Sequence, residues 1–377
     1  MFFFLDKLNI NPPLWTIVLS VSLLSFLITY FSVPVIVLIS KYKNLYDFPN
    51  ERKVHNKATP VLGGLAVFGG IVLSSVVFCP ENGYRTLVYL FGGLITIMII
   101  GLKDDILIIN PKKKLTGQFL AAALIVILGD IRITDFQGIF GINTISYIPG
   151  IIFSVLLIVF FTVSFNFIDG IDGLAASFGC LGALFYGIWF MLSGNTIMSV
   201  LSFATLSALA AFIRFNVFSK DNKIFLGDAG AMITGLLSAV LTIEFIENQA
   251  VSPPELKIEW APFLSVGLYF VVITDTLRVL FNRLIDKDLF KSAKNHIHHI
   301  VGDRGLSQNS TAIVLLALNI LIFFSFYLLR NTGATMLLIY TVSLALVLII
   351  TVNYIRASNH KRNEGAREGT ITGIKPG

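Results

Sequence analysis

The stretch "IIFSVLLIVFFTVSF" (151–165) runs straight into "NFIDGIDGLA" (166–175). The first part, with the residues before it, is long enough and apolar enough for a helix across a bilayer, which needs about 20 such residues. The second part ends that helix with two carboxylates and two glycines. Charge in hydrocarbon is expensive, so this segment belongs at a water boundary and is a candidate functional site. Composition decides the surroundings. Hydrophobic residues make up 55% of the 377 and charged residues only 13%, and the mean hydropathy is +0.81. These values exclude a soluble globular domain and describe an all-α polytopic membrane protein.

Marking apolar runs between polar turns gives about eleven transmembrane helices, at roughly 14–40, 61–79, 84–101, 115–129, 145–165, 173–193, 196–217, 229–247, 258–281, 311–330 and 334–355. The N-terminal segment has no basic region and no small-residue cleavage site, so the first span is expected to be retained. Residues 1–356 then form one transmembrane domain with cytoplasmic loops, and the polar, basic stretch 357–377 reads as a disordered cytoplasmic tail. Cys79 and Cys180 sit in separate apolar runs and read as inert buried thiols. The paired glycines of "TPVLGGLAVFGG" (59–70) read as close helix packing.

With eleven spans, all but five of the 28 Lys and Arg fall on one side. The exceptions are Lys7, Arg85, Arg132, Lys257 and Arg330. Basic residues collect in the cytoplasm, which predicts the N-terminus outside and the C-terminus inside. On that cytoplasmic face lie Asp104 and Asp105, Asp169 and Asp172, Asp228, and His296, His298 and His299. Five carboxylates among many cations suit a hard divalent cation that bridges to phosphate oxygens. Mg²⁺ takes only one or two protein carboxylates, so the five cannot all be ligands. Asn166 and Asp169 would be neighbours if the helix continues. Asp104 and Asp105 differ by about 100° on a helix, which predicts different jobs. Simpler readings compete: Asp228 is also a good helix cap, Asp104 and Asp105 could pair with Lys103 or Lys112 to Lys114, and Asp275 with Arg278 reads as a structural i, i+3 pair. The histidines suit proton transfer or a hydrogen bond to phosphate.

"KVHNKATPVLGG" (53–64), "GLKDD" (101–105), "NFIDGIDGLA" (166–175), "FLGDAGA" (225–231) and "NHIHH" (295–299) occur in the order found in polyprenyl-phosphate N-acetylhexosamine-1-phosphate transferases, glycosyltransferase family 4. The chain resembles the bacterial undecaprenyl-phosphate N-acetylglucosaminyl-1-phosphate branch, over about residues 41–310. The resemblance implies transfer of N-acetylglucosamine-1-phosphate from UDP-N-acetylglucosamine to undecaprenyl phosphate, with UMP released, at the cytoplasmic face of a bacterial inner membrane. It implies Mg²⁺ or Mn²⁺ as cofactor, and the sugar nucleotide, the lipid phosphate and the bilayer as partners, with no nucleic acid; a homodimer is compatible with it. Asp228 is then the chief metal ligand, and one of Asp104 and Asp105 completes the metal site or deprotonates the lipid phosphate. Asn166, Asp169 and Asp172 shape the nucleotide-sugar pocket. His296 contacts the diphosphate, with His298 and His299 beside the substrate, and Lys57 contacts phosphate or uracil. Ala293 stands where many members carry Asp, which makes another UDP-N-acetylhexosamine the nearest alternative; UDP-N-acetylmuramoyl-pentapeptide is a further one, but its transferases carry three consecutive histidines where this chain reads "HIHH". From another class, a secondary transporter competes, but the spans lack inverted repeats and mid-membrane charge.

Overall fold

In hydrocarbon a backbone has no water to bond, so a chain this apolar satisfies its peptide groups within helices. The computed structural model describes residues 12–47, 59–80, 83–107, 109–287 and 296–372. In chain order they form α1 (Leu14–Lys43), α2 (Gly63–Val77), α3 (Tyr84–Leu107), α4 (Pro111–Ala123, prolonged by π-helix over Leu124–Leu128) and α5 (Tyr147–Ile168). There follow α6 (Leu174–Leu192), α7 (Thr196–Asn216), α8 (Gly227–Asn248), α9 (Ala261–Leu268), α10 (Phe270–Ile285), α11 (Ile297–Gly302), α12 (Gln308–Leu328) and α13 (Ala334–Thr372). A short ribbon pairs β1 (Tyr46–Asp47) with β2 (Thr59–Pro60).

Among the described residues, eight helices are long and apolar enough to cross a membrane, or nine if α9 and α10 are one bent span. The sequence reading expected eleven. The difference lies in two places. α2 has 15 residues, about 22 Å of helix against a hydrocarbon core of about 30 Å, and α4 opens with Lys112, Lys113 and Lys114. α13 continues to Thr372, through most of the stretch that composition marks as a disordered tail.

α8 is the axis of the bundle, buried along nearly all its length and packed by α2, α3, α5 and α6. Small residues permit the approach. A Cβ on Gly64 would lie 2.3 Å from the Gly230 nitrogen, and one on Gly101 2.2 Å from the Ala229 Cα. The first glycine pair of the 59–70 stretch is therefore a packing device, as is Gly70 against Thr29, whereas Gly69 faces open space. The start of α2 is tied to the approach to α8, with Gly63 N–H donating to the Phe225 carbonyl at 3.0 Å and Gly64 N–H to the Leu226 carbonyl at 2.8 Å.

α9 and α10 meet at a 79° bend. Buried Asn319 of α12 fills the gap: its Nδ2 donates to the Leu268 carbonyl at 2.7 Å, and its Oδ1 accepts from Val271 N–H at 3.0 Å. One amide thus satisfies a donor and an acceptor that the break would leave bare in an apolar interior.

Candidate active site

Four helix ends meet around one ammonium group. Lys114, near the start of α4, lies 2.8 Å from Asp104 Oδ2 at the end of α3 and 2.9 Å from Asp228 Oδ2 in the first turn of α8. Its Nζ also donates to Asn166 Oδ1 near the end of α5, at 3.2 Å, and Asn166 Nδ2 donates to Asp228 Oδ1. Of the three charged members Asp228 is the most open, its side chain 34% exposed against 11% for Asp104, and so it faces whatever arrives from water.

Asp104 and Asp105 point apart. Asp104 Oδ1 accepts Ile109 N–H at 2.8 Å, which closes the turn toward α4. Asp105 reaches α8 instead and accepts the N–H groups of Asp228 at 2.7 Å and Ala229 at 3.2 Å. The first N–H groups of a helix have no partner within it, and here a carboxylate from a neighbouring helix supplies one. Asp228 itself is not the cap; it stands inside the first turn with its side chain directed at Lys114 and Asn166. Gly227 adopts φ 73°, and a Cβ there would meet the Val61 carbonyl at 2.2 Å and Asp105 Oδ2 at 2.8 Å. Only glycine lets "LGD" turn this tightly onto Asp105.

The segment 166–175 divides in two. α5 ends at Ile168, so Asn166 faces Asp228 rather than forming the expected pair with Asp169. The Asp169 carboxyl is pushed well above the ordinary carboxylate range by burial and by the charges of Asp228, Asp105 and Asp172. Asp172 turns away to Lys223 Nζ at 2.6 Å and to Asn216 Nδ2 at 3.4 Å. Asn216 in turn accepts Gly173 N–H at 2.6 Å, which fixes the loop between α5 and α6.

The histidines lie against this loop. A Cβ on Gly170 would be 2.0 Å from His298 Nε2, so the glycine is a seat for the ring. His298 is 1% exposed, and neither ring nitrogen has a hydrogen-bond partner. Burial first, and then the neighbouring His299 and His296, hold it well below the usual imidazole value. His298 therefore packs as a neutral ring under the loop. His296 stacks parallel to it, centroids 5.7 Å apart, and its Nδ1 lies 3.0 Å from Asp275 Oδ2. Lys57 lies outside the described residues.

Sequence reasoning did not single out Lys114, Lys223 or Asn216 for the site, and it gave Asp275 only its pairing with Arg278. That pair exists, at 2.6 Å, but the same carboxylate also holds His296.

No three His, Cys, Asp or Glu side chains among the described residues form an all-protein metal cage. A Mg²⁺-type ion does not need one, since it uses one or two carboxylates and takes its other ligands from water and phosphate. Asp104 and Asp228 each direct an oxygen at one shared cation, now Lys114, and this donor set fits such an ion.

Glycosyl transferase family 4 matches residues 87–246, which include Asp104, Asp105, Lys114, Asn166, Asp169, Asp172 and Asp228. The decaprenyl-phosphate N-acetylglucosaminephosphotransferase of Mycobacterium tuberculosis (strain H37Rv) is 30% identical over 319 residues, 78% of each chain. The undecaprenyl-phosphate alpha-N-acetylglucosaminyl 1-phosphate transferase of Escherichia coli (strain K12) is 26% identical over 281 residues, 74% of each chain.

Proposed function

The chain belongs to glycosyl transferase family 4, and from that premise we propose that it transfers N-acetylglucosamine-1-phosphate from UDP-N-acetylglucosamine to undecaprenyl phosphate and releases UMP. The observation that carries this reading is the convergence of Asp104, Lys114, Asn166 and Asp228, from four helices, on one cation at one end of the bundle. Two anionic substrates can meet only where their charge is neutralised.

The lipid phosphate attacks the sugar-bound phosphorus, and the bond to UMP breaks. A phosphate monoester with a second pKa of about 6 is already largely ionised at neutral pH, so the reaction asks for alignment and charge stabilisation more than for a base. Asp228 and Asp104 would hold Mg²⁺ or Mn²⁺, which when bound neutralises phosphate oxygens and the leaving group. Lys114, released from one carboxylate, supplies a second positive charge to the phosphates. Asp105, committed to two backbone amides, keeps Asp228 in place instead of acting as a base. Asn166 orients Asp228, Asp169 and the loop it begins border the sugar-nucleotide pocket, and His296 donates to the diphosphate. On this reading the site would face the cytoplasm of a bacterial inner membrane, with eleven crossings and the isoprenoid tail in lipid.

Membranes carrying the protein, supplied with Mg²⁺, UDP-N-acetylglucosamine and undecaprenyl phosphate, should release UMP and form a lipid-linked product. Intact sugar nucleotide accumulating inside vesicles, without UMP, would overturn this in favour of transport. Competition among UDP-N-acetylhexosamines assigns the sugar.

A further inference from the structure

Asp275 is 3% exposed, and a buried carboxylate is costly unless its oxygens are used. Both are. Oδ1 accepts from Arg278 Nη2 at 2.6 Å and from Ile297 N–H at 3.0 Å, while Oδ2 is left to His296 Nδ1 at 3.0 Å. An ion pair made only to bury charge would end at Arg278. Here the carboxylate grips the histidine segment twice, once at the imidazole and once at the next peptide N–H. Rotating the ring out of place would break the first bond, and sliding the turn would break the second. Phe167 lies against the ring at a centroid distance of 5.1 Å, and His298 stacks parallel on it. The contrast with His298 is instructive, because that ring has no partner at either nitrogen. Only one of these two rings is aimed.

We infer that Asp275, backed by Arg278, is a positioning residue that holds His296 by Nδ1–H, so that Nε2 is the ring atom presented to the diphosphate of the substrate. The role assigned to Nε2 rests on the transferase reading above; the grip on Nδ1 does not. At metal-binding histidines a carboxylate on the other ring nitrogen fixes the tautomer and orientation of the ring, and losing it costs about 10–100-fold in function; the same hydrogen-bond geometry acts on His296 here.

Two measurements on the full-length protein in lipid nanodiscs test this. The first is the ¹⁵N spectrum of histidine-labelled wild type, with the His296 signals assigned by their loss in His296→Ala. Nδ1 should carry a proton; a bare Nδ1 overturns the inference and needs no Asp275 variant to fold. The second is a double-mutant cycle on UMP release with Asp275→Asn, His296→Ala and the pair. Asp275→Asn should lower kcat by about 10–100-fold with a smaller change in KM, and Asp275→Glu should recover part of the loss. In the His296→Ala background the Asp275 change should cost almost nothing further. An equal cost in both backgrounds overturns the inference, because Asp275 would then act independently of the ring. If wild type releases no UMP while Nδ1 is protonated and its signal shifts in Asp275→Asn, the transferase reading falls and the positioning role stands.

Discussion

Lys114 is the residue on which the site balances. Without it, Asp104 and Asp228 face each other, with Asp105 and Asp169 close enough to add to the repulsion. Breaking a buried pair costs about 3–5 kcal/mol, but partial exposure of Asp228 screens the charge, so Lys114→Met should cost on the order of 2 kcal/mol. If a divalent ion can take the place of the ammonium, Mg²⁺ should raise the thermal midpoint of Lys114→Met more than that of wild type, and EDTA should stop UMP release until Mg²⁺ or Mn²⁺ returns. Equal Mg²⁺ responses would show that the ion does not take the place of Lys114 between Asp104 and Asp228. Asp169 gives a pH prediction. Its carboxyl is raised above 3.8 by burial and neighbouring carboxylates, so the folded state holds that proton more tightly than the unfolded one. The stability it contributes is complete below the ordinary value and is lost as pH rises through the native value. Asp169→Asn cannot ionise and should flatten the fall in midpoint of metal-free protein on the alkaline side; a slope equal to wild type would refute this. The aspartates were legible because charge is rare in a chain this apolar. Their partners were not: Lys103, Lys112, Lys113 and Lys114 had equal standing in the sequence, and only the fold brings the last against Asp104, Asp228 and Asn166.

At the scale of elements, the decisive features are helix ends satisfied from elsewhere. Asp105 caps α8 from α3, and removing a cap costs about 1 kcal/mol. Asp105→Asn should therefore lower the thermal midpoint and displace Asp228, whereas Asp104→Asn leaves the α8 amides capped and should lose activity with little change in stability. Matching stability losses in the two would show that they share a job. Asn319→Leu is a sharper case. It strips partners from the Leu268 carbonyl and the Val271 N–H, at about 1–3 kcal/mol for each buried group, and frees the bend that directs Asp275 toward His296. Both midpoint and UMP release should fall; a variant as active and stable as wild type would show that the bend holds without the amide. The span over 258–281 was legible as apolar, and its break was not, because Gly267 just before position 269 reads like the many other glycines inside apolar runs of this chain. A signal did exist at the partner: a lone Asn amid "VLLALNILIFF" (314–324) implies a polar group waiting inside the bundle.

For the whole molecule, consecutive helices reverse direction around a common polar end. Lys41, at the end of α1, donates to the Asp221 carbonyl; α2 begins beside Phe225; and α3, α4, α5 and α8 meet at Lys114. The opposite end has its own ties, Thr134 to Glu247 and Asn195 to Asn248. This alternation bears on the two doubtful passes. α2 starts at the site end, and α3 is long enough to cross and finishes there. α4 carries Lys114 in its first turns, and its π-helical extension leads to Ile133, whose N–H donates to Ser154 of α5, and on to Thr134 beside Glu247. Among the described residues eight or nine helices are long and apolar enough to cross; a crossing by α2 and by α4 as well would require neighbouring helices and local thinning to accommodate a short pass. The sidedness expected from the basic bias depends on the alternation of loops. Single reporter cysteines in a Cys79→Ser, Cys180→Ala background check it. An impermeant maleimide applied to intact cells should modify Asn143→Cys and Asn331→Cys and spare Lys220→Cys, with the reverse in inside-out vesicles. If Lys220→Cys reacts from outside, the acidic site faces away from the cytosol, where sugar nucleotides are made, and the transferase reading loses its substrate.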